Sequence, residues 1–225
     1  MSKNNNTVTK TPDVETVDGR TTRYASHRIQ RREALLEQTT VLLAKYGLRA
    51  LTIDDIVERL DIAKPALYRY FSSKEDLIRA TLTRAREDLV EADMAADNSD
   101  WRLQLLGAIR FIAVRPEAFI VLYRHAANDP EYHSYFKAYF DQASELTLER
   151  LVRFSANSPD TPVSFDFCAR ALVSFIFSAT LTWIEDGAWE IKAFHKWLVL
   201  SAVALTESWA VFTFESAAEE ENFGQ

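Results

Sequence analysis

The chain has 225 residues and a mass of 25.7 kDa, enough to bury a substantial core. With 48% hydrophobic and 26% charged residues it is neither disordered nor collagen-like, and only 5 glycines and 6 prolines argue against a turn-rich β-sandwich or barrel. The net charge of −7 is unevenly spread: Met1 to Glu75 holds 13 of the 26 basic residues but only 10 of the 33 acidic ones. The basic excess therefore lies in the first third, where a polyanion-facing surface would be sought.

Residues 1–26 lack hydrophobic periodicity and read as a disordered polar and basic arm. Met1 to Arg23 has no apolar stretch of the secretory kind. From His27 the pattern turns helical. Leu35, Leu36, Thr39, Leu42, Leu43 and Tyr46 share one face, and Gly47 stands where a C′ glycine ends a helix. Thr52 caps a short second helix buried through Ile53, Ile56, Val57 and Leu60, with Asp54 and Asp55 in its first turn. A third helix runs from Lys64 to about Tyr70, with Pro65 in the first turn where no N–H is required. Ser73-Lys74-Glu75-Asp76 resembles a capping box and opens a fourth, to about Ala95.

Five further apolar-periodic segments follow: Trp101 to Val114, Pro116 to Ala127, Pro130 to Phe154, Phe165 to Glu185 and Trp189 to Phe214. No segment alternates with period 2, so the fold class is all-α: about nine helices, divided into a three-helix head (27–75) and a larger helical body (76–225). No uninterrupted apolar run reaches about 18 residues; Ala171 to Ile184 is broken by Ser174, Ser178, Thr180 and Thr182, and no membrane partner is expected. The lone Cys168 makes no internal disulfide and fits a reducing, cytoplasmic setting.

Two short helices joined by a tight turn, the second opening with small and polar residues, suit a DNA major groove. Ile62, Leu67 and Phe71 would face the head's core, leaving Lys64, Ala66, Tyr68, Arg69 and Tyr70 outward; a solvated amphipathic helix without a ligand explains the composition equally well. The run from Leu51 to Leu77, with its core Leu67-Tyr68-Arg69-Tyr70-Phe71-Ser72-Ser73-Lys74-Glu75-Asp76-Leu77, resembles the DNA-binding domain of the TetR family of transcriptional regulators. The likeness covers roughly Arg31 to Thr81 and beyond that rests on helix layout. It implies DNA contact by Arg31, Thr52, Lys64, Pro65, Ala66, Tyr68, Arg69 and Lys74, with Tyr68 and Lys74 gripping the backbone and Lys64, Pro65 and Ala66 reading the groove. Ala63 departs from the pattern, standing where the family often has a capping serine. The arm's Lys3, Lys10, Arg20 and Arg23 would enter an adjacent minor groove or serve as a solubilising tail.

The resemblance also implies a homodimer on a double-stranded DNA operator, its last two helices forming a four-helix bundle with their mates. Phe175, Trp183, Trp197, Leu205 and Trp209 are the expected interface, although intramolecular core competes for them. A small hydrophobic effector, of acyl type, is expected in the body among Phe111, Phe119, Tyr123, Arg124, Phe140, Arg170, Ser174 and Phe177, either arginine pairing with a carboxylate. The commoner role of such an arginine is a surface ion pair. His125, Asp129, Glu131 and His133 straddle Pro130 and share no helix face, so no metal and no cofactor are expected. There is no glycine-rich phosphate loop, G-x-S-x-G elbow or H-E-x-x-H, and an enzyme or a helical adaptor would leave the Lys64 to Lys74 run unexplained.

Overall fold

The computed structural model describes residues 19–95, 100–154, 164–187 and 189–219, and among them every regular element is helical. They are α1 (Gly19–Tyr46), α2 (Ile53–Arg59), α3 (Lys64–Tyr68), α4 (Lys74–Met94), α5 (Trp101–Val114), α6 (Pro116–Ile120), α7 (His133–Phe154), α8 (Phe165–Asp186) and α9 (Ile191–Glu219). Between α6 and α7 the chain passes through a π turn (Val121–His125) and a 3-10 turn (Ala126–Asn128).

The first helix starts at Gly19 instead of His27, so residues 19–26 of the expected arm are helical; residues 1–18 lie outside the described residues. The stretch after Gly19 contains neither glycine nor proline, and propagating an existing helix costs far less than starting one. At its other end Gly47 takes φ 88°, a left-handed value that favours glycine, and its N–H closes on Leu43 O at 2.8 Å.

The head buries Leu35 and Leu36 of α1, Ile56 and Val57 of α2, Leu67 and Phe71 around α3, and Leu77 of α4 in one cluster. Thr39 and Thr40 are also buried, and their hydroxyls donate to Leu35 O and Leu36 O one turn back, which leaves no unmet donor. Thr52 caps α2 in a full capping box with Asp55, as its position suggests. The α2–α3 turn places Asp61 at φ 51°, left-handed backbone in which aspartate is among the better tolerated non-glycine residues. Ala63, the N-cap of α3, makes no side-chain capping bond. Ala63→Ser will therefore stabilise the head by about 1 kcal/mol, measured by urea unfolding; an unchanged midpoint would mean that the α3 amides are already satisfied.

The body is organised on α4. Ile78, Leu82, Ala85 and Leu89 from that helix pack with Ile112, Phe119, Val121, Leu122, Tyr139, Val173 and Phe177. A second cluster joins Ile109 of α5 to Phe194 and Leu198 of α9. The expected Pro116–Ala127 helix is broken by the π turn, because contacts with the head override local pitch: His125 Nε2 lies 2.9 Å from Ala44 O of α1. Helix α7 begins at His133, not Pro130, since Asp129 organises a turn by accepting from Glu131 N at 2.9 Å and, through its carbonyl, from His133 N at 2.8 Å.

By length and composition α8 is the one described helix able to cross a membrane, whereas its hydroxyl residues suggested otherwise. Ser174, Thr180 and Thr182 donate to the carbonyls of Arg170, Ile176 and Ser178, so these side chains spend their polarity within the helix. In the structure α8 packs on α7, and Cys168, Ala169, Leu172 and Val173 of α8 are buried.

Candidate DNA-binding face and effector site

In the short helix α3, Leu67 is buried while Tyr68, 45% exposed, and Arg69 point outward. Pro65 is exposed and Ala66 half-buried at the helix start, and Lys74 sits at the first position of α4. The side chains of Arg31, Tyr68, Arg69 and Lys74 make no hydrogen bond or ion pair among the described residues. These groups are available to an external anion. Tyr70, expected outward, is instead half-buried on the head's core beside Phe71, with ring centroids 6.5 Å apart. One turn of α3 leaves no room for both Tyr68 and Tyr70 on the same face.

Lys64 is not free. Its Nζ donates to Asp54 Oδ1 at 2.7 Å, and that hydrogen bond raises the amine above its ordinary range. Asp54 thus places an exposed carboxylate beside the first residue of α3. Thr52 is likewise committed: its hydroxyl donates to Asp55 Oδ2 at 2.6 Å and its N–H to the same oxygen at 2.7 Å. Those bonds hold the Asp55 carboxyl below its usual range. At the start of α4 the Ser73 hydroxyl accepts from Asp76 N at 3.1 Å, but the Asp76 carboxylate turns to Ser72 N at 2.7 Å rather than closing a box on Ser73.

The head is tied to the body by a polar seam. Arg49, in the α1–α2 turn, forms a two-pronged bond with Asp129, Nε to Oδ2 at 2.7 Å and Nη2 to Oδ1 at 2.8 Å. Arg79 of α4 reaches Glu131 at 3.0 Å, and Arg84 joins Glu33 of α1 at 2.8 Å. The Arg49 bonds hold the Asp129 carboxyl well below its ordinary range. His133 Nδ1 lies 2.7 Å from Ala127 O, so the four residues that superficially resemble metal ligands are each engaged elsewhere.

None of three cavities among the described residues is lined by the residues expected to form the effector site. Phe119, Tyr123, Phe140 and Phe177 pack ring against ring, with Phe119 and Phe177 only 1% and 6% exposed; Phe111 packs against the same cluster. Aromatic rings that fill one another's space leave none for a ligand. Arg124 is paired with Glu185, and Arg170 with Asp141 at 3.0 Å and Asp166 at 3.3 Å, all at the surface; Ser174 is exposed. Two apolar cavities among the described residues lie elsewhere. One, of about 400 Å³, is bounded by Phe175, Trp183, Trp189, Phe194 and Trp197 at the α8–α9 junction. The other, of about 270 Å³, lies among α5, α7, α8 and α9, beside Arg150.

Of the expected interface residues, Trp183 is stacked on Phe194 at 4.5 Å and donates from Nε1 to Trp189 O at 2.8 Å, and Phe175 packs with the same internal cluster. Leu205 and Trp209 are half-buried and Trp197 is exposed. Among the described side chains of these two helices, the most exposed large apolar ones are Phe167 and Leu200.

A helix-turn-helix head with unpaired tyrosine, arginine and lysine groups, joined through α4 to an all-helical body, defines the architecture of a helix-turn-helix DNA-binding protein. Residues 35–81 match the profile of "Bacterial regulatory proteins, tetR family", so the head carries the N-terminal domain of that family. An uncharacterised HTH-type transcriptional regulator of Mycobacterium tuberculosis is 34% identical over 79 residues, 35% of this chain and 33% of that one. The match thus spans about a third of the length of that relative. The HTH-type transcriptional activator FasR of Mycolicibacterium smegmatis is 25% identical over 195 residues, covering 80% of this chain and 88% of FasR. Among solved structures, a TetR-like transcriptional regulator from Rhodococcus sp. RHA1 superposes with a TM-score of 0.63 at 25% identity, over 80% of this chain and 93% of that one.

Proposed function

We propose that this protein is a cytoplasmic transcriptional repressor that binds a palindromic operator as a homodimer and is released by a small hydrophobic effector. The observation that carries the reading is the unpaired side-chain set of exposed Tyr68 and Arg69 and half-buried Lys74 around a one-turn helix. Tyr68 closes α3 and Lys74 opens α4, a pair of groups suited to phosphates, while Pro65 and Ala66 at the start of α3 leave space for base edges. Lys64 must exchange Asp54 for DNA, so its contribution is one of selectivity more than raw attraction. Exposed Phe167, Trp197 and Leu200 on α8 and α9 support a dimer through these helices.

Selection from random duplexes tests the reading: a short palindrome should be enriched, and failure to enrich any duplex would refute it. Tyr68→Phe and Lys74→Ala should lower affinity uniformly across sequences, Lys74→Ala also reducing the salt slope by about 1. Ala66→Ser or Lys64→Ala should instead change base preference. Identical behaviour by both pairs would refute this division of roles.

A further inference from the structure

The half-open trench among α5, α7, α8 and α9 has apolar walls supplied by Leu105, Leu151, Leu172, Ile176 and Val203. Its lining hydroxyls are spent: Thr147 donates to Ala143 O at 2.8 Å, and Thr206 to Val203 O at 2.9 Å. Arg102 lies over the Trp101 ring and faces Asp100. Arg150 is different. Its side chain is only 24% exposed, yet among the described residues it makes no hydrogen bond, and its one ionic neighbour, Asp93, stands 3.9 Å away, beyond hydrogen-bond reach. A guanidinium with five donors thus borders an apolar trench with its counter-ion at arm's length.

We propose that this trench binds the hydrocarbon portion of a small amphiphilic carboxylate, with Arg150 gripping the carboxylate group. This inference rests on the effector reading above and gives it a place and a chemical class. An incoming carboxylate accepts two N–H bonds from Arg150 that Asp93 does not make, and so displaces it. Burial lifts the Asp93 carboxyl above its ordinary range, which weakens it as a competitor. The volume of about 270 Å³ lies just under the usual range for drug-sized ligands, so a short chain fits better than a long one. Asp93 also belongs to the last turn of α4, whose first residue is Lys74 on the DNA-facing side. Breaking the Asp93–Arg150 pair releases the far end of the helix that carries the phosphate-facing lysine about 30 Å away.

Calorimetric titration of the full chain, free of DNA, with octanoate and separately with 1-octanol tests the proposal. Saturable octanoate binding is expected, with Arg150→Gln weakening it by about tenfold to a hundredfold while the 1-octanol affinity stays within twofold. Val203→Phe, which narrows the trench, should weaken both probes. Absence of saturable octanoate binding would overturn the proposal, as would octanoate affinity indifferent to Arg150→Gln, an equal loss for both probes in that variant, or indifference of both probes to Val203→Phe. Thermal melts establish that each variant is folded. Because duplex selection needs no alkyl ligand, failure here leaves the DNA-binding reading to stand or fall separately.

Discussion

Phe177→Ala will destabilise the protein by about 3–5 kcal/mol, the largest loss expected from any single truncation in the body. Phe177 lies at the hub of the aromatic cluster: Tyr139 stacks on it at 5.1 Å, while Phe119, Tyr123 and Phe140 meet it edge-on at 5.5, 5.9 and 6.0 Å. At 6% exposure, truncation removes almost the whole ring from a buried site. Four rings anchored on three different stretches, α6, the π turn and α7, cannot all close in on the void, so the cavity term adds to the lost transfer energy. For a chain of this size the melting temperature should fall by roughly 6–20 °C. Phe140→Ala, at a half-buried edge of the same cluster, should cost less. Urea unfolding of both variants checks the ranking, and equal losses would mean that the cluster has no hub.

The second large effect concerns the seam between head and body. Asp129→Ala will leave the Arg49 fork without its acceptor and free the turn that positions Glu131. Hydrogen exchange of the α1–α3 amides should accelerate on the order of tenfold, while the α8 amides keep their protection. Arg49→Ala should reproduce the effect, and the double variant should add little, since both substitutions remove one shared interaction. A fully additive double variant would show that the two residues act separately. The pH dependence has a definite sign. Arg49 lowers the folded-state carboxyl of Asp129 below its unfolded value, so the stabilisation is complete above the ordinary aspartate range and is lost as pH falls through the folded-state value. Acid unfolding of wild type should consequently be steeper than that of Asp129→Asn.

The head was largely legible because short-range signals fix it. Thr52, Gly47, Pro65 and Ser73 each act within four residues of themselves, and the helix ends fall beside them. The seam was not legible, because Arg49 and Asp129 are 80 residues apart and neither lies in a periodic pattern. The body's aromatics were visible as a group, but sequence could not distinguish rings lining a space from rings filling it; Phe119 and Phe177 fill it. The trench escaped notice for the converse reason. Its walls come from aliphatic residues on four helices, and Arg150 looks like any surface arginine until its nearest carboxylate is found at 3.9 Å. The extension of α1 back to Gly19 was missed because absence of an apolar stripe was read as absence of helix.

The π turn at Val121–His125 holds one residue more than ordinary helical winding would. One residue corresponds to about 100° of angular displacement in an α-helix. Relaxing this segment to regular pitch would swivel Arg124 and His125 around the axis, carrying the imidazole off the Ala44 carbonyl and the guanidinium off Glu185 together. The winding defect therefore acts as a phase setting: it keeps two distant attachments in step along a stretch where an unbroken helix would release both.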